Sequence, residues 1–284
     1  MRMNIFSRLD TDIIHTHILP RLDGTTLTVL SSVCSELRHM ICHSNEDLWR
    51  NICTSTWPSL LLDPIVHNVI STFPGGYRSF FSDAFPSLHN HKNNNSYRFY
   101  PPTTELIHVV DVFVHGKPLF SRVLVEHLNT NNFPYFSRNI FDVKFDYSNL
   151  DHIHFLVNEE YNEYLQENLR LSWVVIDPTR KRAAKLFCSS VEPLSVIPWL
   201  NHYEVVYAMV MAGESQVRTK MINCVVRVFC FFNEDELHLR RVLSRMEDVD
   251  GCLVGVEQGV TILLNAIHYG ERKKFETSYF DMID

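Results

Sequence analysis

The chain has 284 residues, of which 45% are hydrophobic and 21% charged, and its formal net charge is −7. That is the composition of a globular protein with a real core, long enough for two modest units. It argues against nucleic acid as the main partner, because 33 acidic side chains outnumber 26 Lys and Arg and no basic face stands out.

The densest cationic run, "RKRAAK" at 180–185, reads as a solvated turn. Seven cysteines, at 34, 42, 53, 188, 224, 230 and 252, form an odd set without CxxC spacing. Several sit inside apolar runs such as "INCVVRVFCFF", which predicts reduced, buried thiols rather than a secreted disulfide framework. The opening "MRMNIFSRLDTD" has no apolar signal core. No stretch approaches the roughly 20 apolar residues that span a bilayer. The expectation is an intracellular protein, cytoplasmic or nuclear, without a membrane partner.

In chain order, the first 57 residues read as helices. Asp10, Thr11 and Asp12 can cap a helix carrying Ile13, Ile14, Ile18 and Leu19, which Pro20 bends or ends. Beyond the turn "LDG", Thr25 or Thr26 starts a second helical stretch. Along it Leu27, Leu30, Val33, Cys34, Leu37 and Ile41 fall on one stripe. Asn45 can cap a third helix bearing Leu48, Trp49 and Ile52. Residues 58–102 form a transition with two short helices, "DPIVHNVISTF" and the aromatic "YRSFFSDAF", followed by the polar loop "HNHKNNNS".

From 103 onward the period changes to two. "ELIHVVDVFVHG" and "PLFSRVLVEHL", parted by Gly-Lys, predict a hairpin. "IHFLV", "LRLSWVVID", "AAKLFCS", "YEVVYAMVMA" and "INCVVRVFCFF" follow as strands. "YNEYLQENL" and "EQGVTILLNAI" read as helices, while "ELHLRRVLSRMEDVDG" fits either state. The predicted fold class is α+β. It has an N-terminal three-helix unit (1–57), a helical linker (58–102), and a mainly antiparallel sheet or sandwich with a few helices (103–284).

A unit of about 50 residues has difficulty burying this many large apolar side chains by itself. It must pack on the rest of the chain or leave a face for a partner. The segment "LDTDIIHTHILPRLDGTTLTVLSSVCSELRHMICHSNEDLWRNIC" resembles the F-box. Leu9 stands at the family's opening leucine, Ile13-Ile14 and Ile18-Leu19-Leu22 in its first helix, and Leu27 and Leu30 in its second. Val33-Cys34 match its Val-Cys pair, Arg38 its basic position and Leu48-Trp49 its close. Two residues depart from the pattern: Asp10 replaces a proline, and Leu37 stands where a tryptophan is usual. "TSTWPSL", "FPGGYRSFFSDAFPSL", "ELIHVVDVFVHGKPLFSRVLVE" and "NLRLSWVVIDPTRKRAAKL" further resemble a group of plant F-box proteins with this linker and C-terminal region.

The resemblance implies that Leu9, Ile13, Ile14, Ile18, Leu19, Leu22, Leu27, Leu30, Val33, Cys34, Leu37, Leu48 and Trp49 bind a Skp-type adaptor, and through it a cullin and a RING subunit. It implies no catalysis by the chain and a target protein held by residues 103–284. A lectin-like module carrying an F-box, with Trp173 and Trp199 as sugar-facing aromatics, is the alternative, as is a non-degradative scaffold suggested by Asp10 and Leu37.

Site chemistry is otherwise thin. The His pairs at 15/17, 89/91 and 152/154 lack a third ligand at zinc spacing. There is no GxSxG elbow, no reactive cysteine context, and no phosphate loop at "GGYR". No cofactor or metal is expected.

Overall fold

The structure is a computed structural model that describes residues 10–42, 46–86, 88–89, 103–127, 139–145, 159–213, 221–233 and 236–272. Leu9, the Asn45 cap, the "IHFLV" strand and His91, His152 and His154 lie outside these residues.

Asp10 opens the first helical segment, its carboxylate accepting from the Asp12 N–H at 3.1 Å. Helix α1 (Thr11–Ile13) widens into a π-helical turn over Ile14–Ile18 and tightens to 3-10 geometry over Leu19–Arg21. Asp23 then caps α2 (Gly24–Val33) through the Thr26 N–H at 2.8 Å.

The second helix expected to run through Ile41 is broken. Cys34 takes extended angles (φ −154°, ψ 162°), and α3 (Ser35–Cys42) restarts beyond it. The break shifts the phase of the apolar stripe, so Val33 faces solvent while Leu37 and Ile41 are buried. Helix α4 (Glu46–Thr56), a 3-10 turn (Pro58–Leu61), α5 (Pro64–Ser71) and α6 (Gly76–Ala84) complete the helical side. Gly75 and Gly76 enter α6 at φ +101° and +56°, angles that exclude most side chains, which explains the "PGG" before this helix.

A short strand β1 (Leu88–His89) follows, then β2 (Glu105–Val114) and β3 (Lys117–His127). They form the expected hairpin, although its turn is His115-Gly116, both at positive φ, rather than Gly-Lys. The remaining strands are β4 (Phe141–Lys144), β5 (Leu169–Asp177), β6 (Arg182–Phe187), β7 (Ser195–Trp199), β8 (His202–Ala212), β9 (Met221–Asn233), β10 (Glu236–Asp248) and β11 (Glu271–Arg272). Helices α7 (Glu159–Asn168) and α8 (Val256–Tyr269) stand where the sequence predicts them. The ambiguous segment is the strand β10, paired antiparallel to β9 on one side and β4 on the other.

The strands build a four-stranded sheet, β3-β2-β5-β6, and a five-stranded sheet, β4-β10-β9-β8-β7, with β1 paired to β11. Every pairing is antiparallel. The four-stranded sheet is covered on both faces. Ile107, Val109, Val174, Ile176 and Ala183 join the α1–α6 side chains in one core. Val110, Val112, Leu171, Trp173 and Val175 join β8–β10 and α8 in the other. Double coverage explains why "LIHVVDVFV" and "LRLSWVVID" are almost continuously apolar rather than alternating.

Polar contacts stitch the helices to this sheet. Buried Asp111 accepts from the Ser59 N–H at 2.9 Å and the Ser59 hydroxyl at 2.7 Å. Asp83 of α6 takes both Nε and Nη2 of Arg182 at 2.9 Å and the Ala183 N–H at 2.6 Å. On the opposite face, His268 of α8 meets buried Asp177 at 2.9 Å.

Candidate docking surface

The helical unit is organised around aromatic side chains. Trp57 and Phe80 pack edge to face with centroids 5.4 Å apart, and Trp49 lies 5.3 Å from Phe81. The Trp49 indole N–H donates to the Ile41 carbonyl at 2.9 Å, tying α4 to α3. Phe81 also fills the space beside Gly24, leaving no room for a Cβ there. "YRSFFSDAF" therefore holds the N-terminal helices and, through Asp83, fastens them to the sheet.

This packing sorts the sequence-predicted contact residues. Ile14, Leu19, Leu27, Leu37, Leu48 and Trp49 are buried in the chain's own core. Leu37, at the family's tryptophan position, is among them. Ile18, Leu22, Leu30 and Cys34 are half-buried against the same core. Ile13 and Val33 remain open, at 45% and 65% exposure. Val29, which the sequence reading passed over, is 53% exposed. One turn before Val33 on α2, it shares that residue's face. Its spacing, i to i+4, was the signal that could have found it. The open apolar surface is thus much smaller than the apolar inventory of the segment, and it is centred on the solvent face of α2.

No family model and no solved structure matches the chain. Three curated relatives from Arabidopsis thaliana do. F-box protein At3g44326 is 35% identical over 94% of this chain and 74% of the relative. F-box protein At2g27310 is 30% identical over 94% of this chain and 80% of the relative. Probable F-box protein At2g36090 is 33% identical over 96% of this chain and 80% of the relative. The chain belongs to the F-box protein family. Because the similarity runs far past the first 57 residues, the relation to these F-box proteins includes the linker helices and most of the β-rich region.

Elsewhere the F-box protein offers less chemistry than its histidines promise. Among the described residues no group of three His, Cys, Asp or Glu is placed to hold a metal ion. Trp173 is fully buried beside Phe141 and donates to His108 at 3.3 Å, so its ring is closed to a sugar. Trp199 is half-exposed at the end of β7, stacked on His202 with its N–H on Glu204 at 3.0 Å. Next to it, Lys144, Phe145, Asn201, His202, Phe229, Arg240 and Arg241 line an open cleft of about 430 Å³. In that cleft burial pulls His202 below its ordinary pKa, and the Arg240 charge adds to the effect.

Proposed function

We propose that this F-box protein is the substrate-recruiting subunit of a Skp–cullin–F-box ubiquitin ligase. The observation that carries the reading is similarity, over at least 94% of the chain, to proteins named as F-box proteins, joined to an apolar strip on α2 that the chain's own fold leaves uncovered. A Skp-type adaptor seals Ile13, Val29 and Val33, with Ile18, Leu22, Leu30 and Cys34 at the margin. The buried residues hold this surface in shape. An interface of ordinary size, about 800 Å² per partner, suffices for a stable complex when a few anchors dominate it.

The chain itself performs no bond chemistry in this reading. The adaptor brings the cullin and RING subunit, and the β-rich region holds the target. Ubiquitin transfer follows from the raised effective concentration of a target lysine near the charged conjugating enzyme. The shared core of helices and central sheet favours this role, because it fixes the target region relative to the adaptor. The same core makes removal of residues 1–57 a poor test: it would uncover Ile107, Val109, Val174 and Ile176.

The test is co-purification of the full chain with a Skp-type adaptor and a cullin. All three eluting together is the expected result. Adaptor without cullin would favour a scaffold, and no adaptor would overturn the reading.

A further inference from the structure

The run "RKRAAK" does not stay in solvent. Lys181 occupies the turn, but Lys185 lies on β6 and is only 4% exposed. An ammonium so placed has lost most of its water and needs a partner of opposite charge or dense acceptors. It finds the Phe85 ring, with Nζ 4.3 Å from the centroid, and the Cys188 sulfur at 3.4 Å. The sulfur is the acceptor that faces this ammonium. From its exposed side the sulfur accepts the Ser190 hydroxyl at 3.1 Å. A buried cation and a hydroxyl donor converge on one partly exposed sulfur.

We propose that Cys188 is a nucleophilic cysteine and a modification site for electrophiles and peroxides, with Lys185 as the positioning cation. Burial pushes the Cys188 thiol up, but the Lys185 charge and the hydrogen bonds from Ser190 and Lys185 outweigh it and leave the group below the ordinary thiol value. Burial likewise pulls the Lys185 ammonium down, and Cys188 offsets part of that. The core thiols go the other way. Burial raises Cys53 and Cys230 well above the ordinary value and pushes Cys224 up to about 12, so these are inert.

The chemistry is balanced with simple reagents. Toward iodoacetamide, the thiolate lone pair attacks the methylene carbon, the C–I bond breaks and iodide leaves, giving a thioether. Toward hydrogen peroxide, the sulfur attacks one oxygen, the O–O bond breaks and hydroxide leaves, so the sulfur is oxidised to a sulfenic acid and the peroxide reduced. Either product removes the negative charge facing Lys185, at the point where Phe85 joins the helical side to β6.

The experiment is timed labelling of the folded full chain with iodoacetamide at pH 7, with peptide mapping of all seven cysteines. Cys252 is the internal control, since it is exposed on the turn after β10. Cys188 is expected to react roughly tenfold faster than Cys252 despite being less exposed, because thiolate fraction governs the rate. Lys185→Met removes that lead, and Lys185→Arg retains part of it. Cys252 labelled ahead of Cys188, or a lead that survives Lys185→Met, would overturn the proposal. Should Lys185→Met fail to fold, the pH profile of the unaltered chain decides. Cys188 labelling must persist to lower pH than Cys252 labelling, and coincident profiles refute the inference.

Discussion

The helical N-terminal side and the β-rich remainder handle apolar residues differently. Within residues 10–57, six of the expected contact residues are internal, including Trp49 and Leu37, and the open large apolar side chains are Ile13, Val29 and Val33, while Leu61, Leu62 and Ile65 are exposed farther along the helical side. In the β-rich region the long apolar runs are internal on both faces of the central sheet. Five of its exposed apolar side chains lie on the short segment around β7, at Val191, Leu194, Ile197, Trp199 and Leu200, and the others, such as Met221 and Val249, are scattered over other strands and turns. Apolar content therefore marks the framework in both regions, and it is the clustering of exposed apolar groups, as at Val29 and Val33 on α2, that marks a candidate surface.

Substitutions can break that contrast from the framework side. The largest effect belongs to Trp57→Ala. Trp57 is wholly buried between Phe80 and Phe81, and its loss should cost about 3–5 kcal/mol in denaturant unfolding. A change near zero would mean that the helical core is not packed as described.

A smaller effect follows at the other core. Burial raises the Asp177 carboxyl, but hydrogen bonds from His268, Arg180 and Thr103 and the His268 charge outweigh it and hold it below the usual carboxylate range. A depressed folded-state value means that its stabilisation is fully present above roughly pH 4 and is lost as pH falls through the depressed value. Asp177→Asn should cost about 1–3 kcal/mol at pH 7 by weakening this buried network. It should also flatten the acid limb of the stability curve, and an unchanged limb in pH-dependent melting would contradict the assignment. The smallest effect is expected at Arg241, whose pairing with Asp142 at 2.7 Å is partly exposed. Arg241→Ala should cost no more than about 1 kcal/mol.

Much of this fold is legible in the sequence. The end of helical periodicity near residue 103 locates the sheet, and the hairpin between β2 and β3 follows from two β-branched runs around a tight turn, although β2 is apolar on both faces and not the alternating strand expected. The F-box resemblance places the helical unit. What periodicity could not supply is direction in space. Val33 and Leu37 lie on one continuous stripe in sequence, yet the extended backbone at Cys34 sends one outward and the other inward. The irregular turn at Ile14–Ile18 carries no sequence mark of its own. Lys185 looks like part of a solvated basic turn until β6 takes it into the protein, and with that the Cys188 environment is invisible in one dimension.

The direct test of the central claim is a titration of the full chain with a purified Skp-type adaptor, comparing the natural sequence with Val29→Asp/Val33→Asp, with thermal unfolding of both measured in parallel. Placing two carboxylates in an apolar seal should weaken binding about a hundredfold or more, as for hot-spot residues, while exposed positions leave the melting temperature almost unchanged. Adaptor affinity unaltered in a folded double variant would contradict the account.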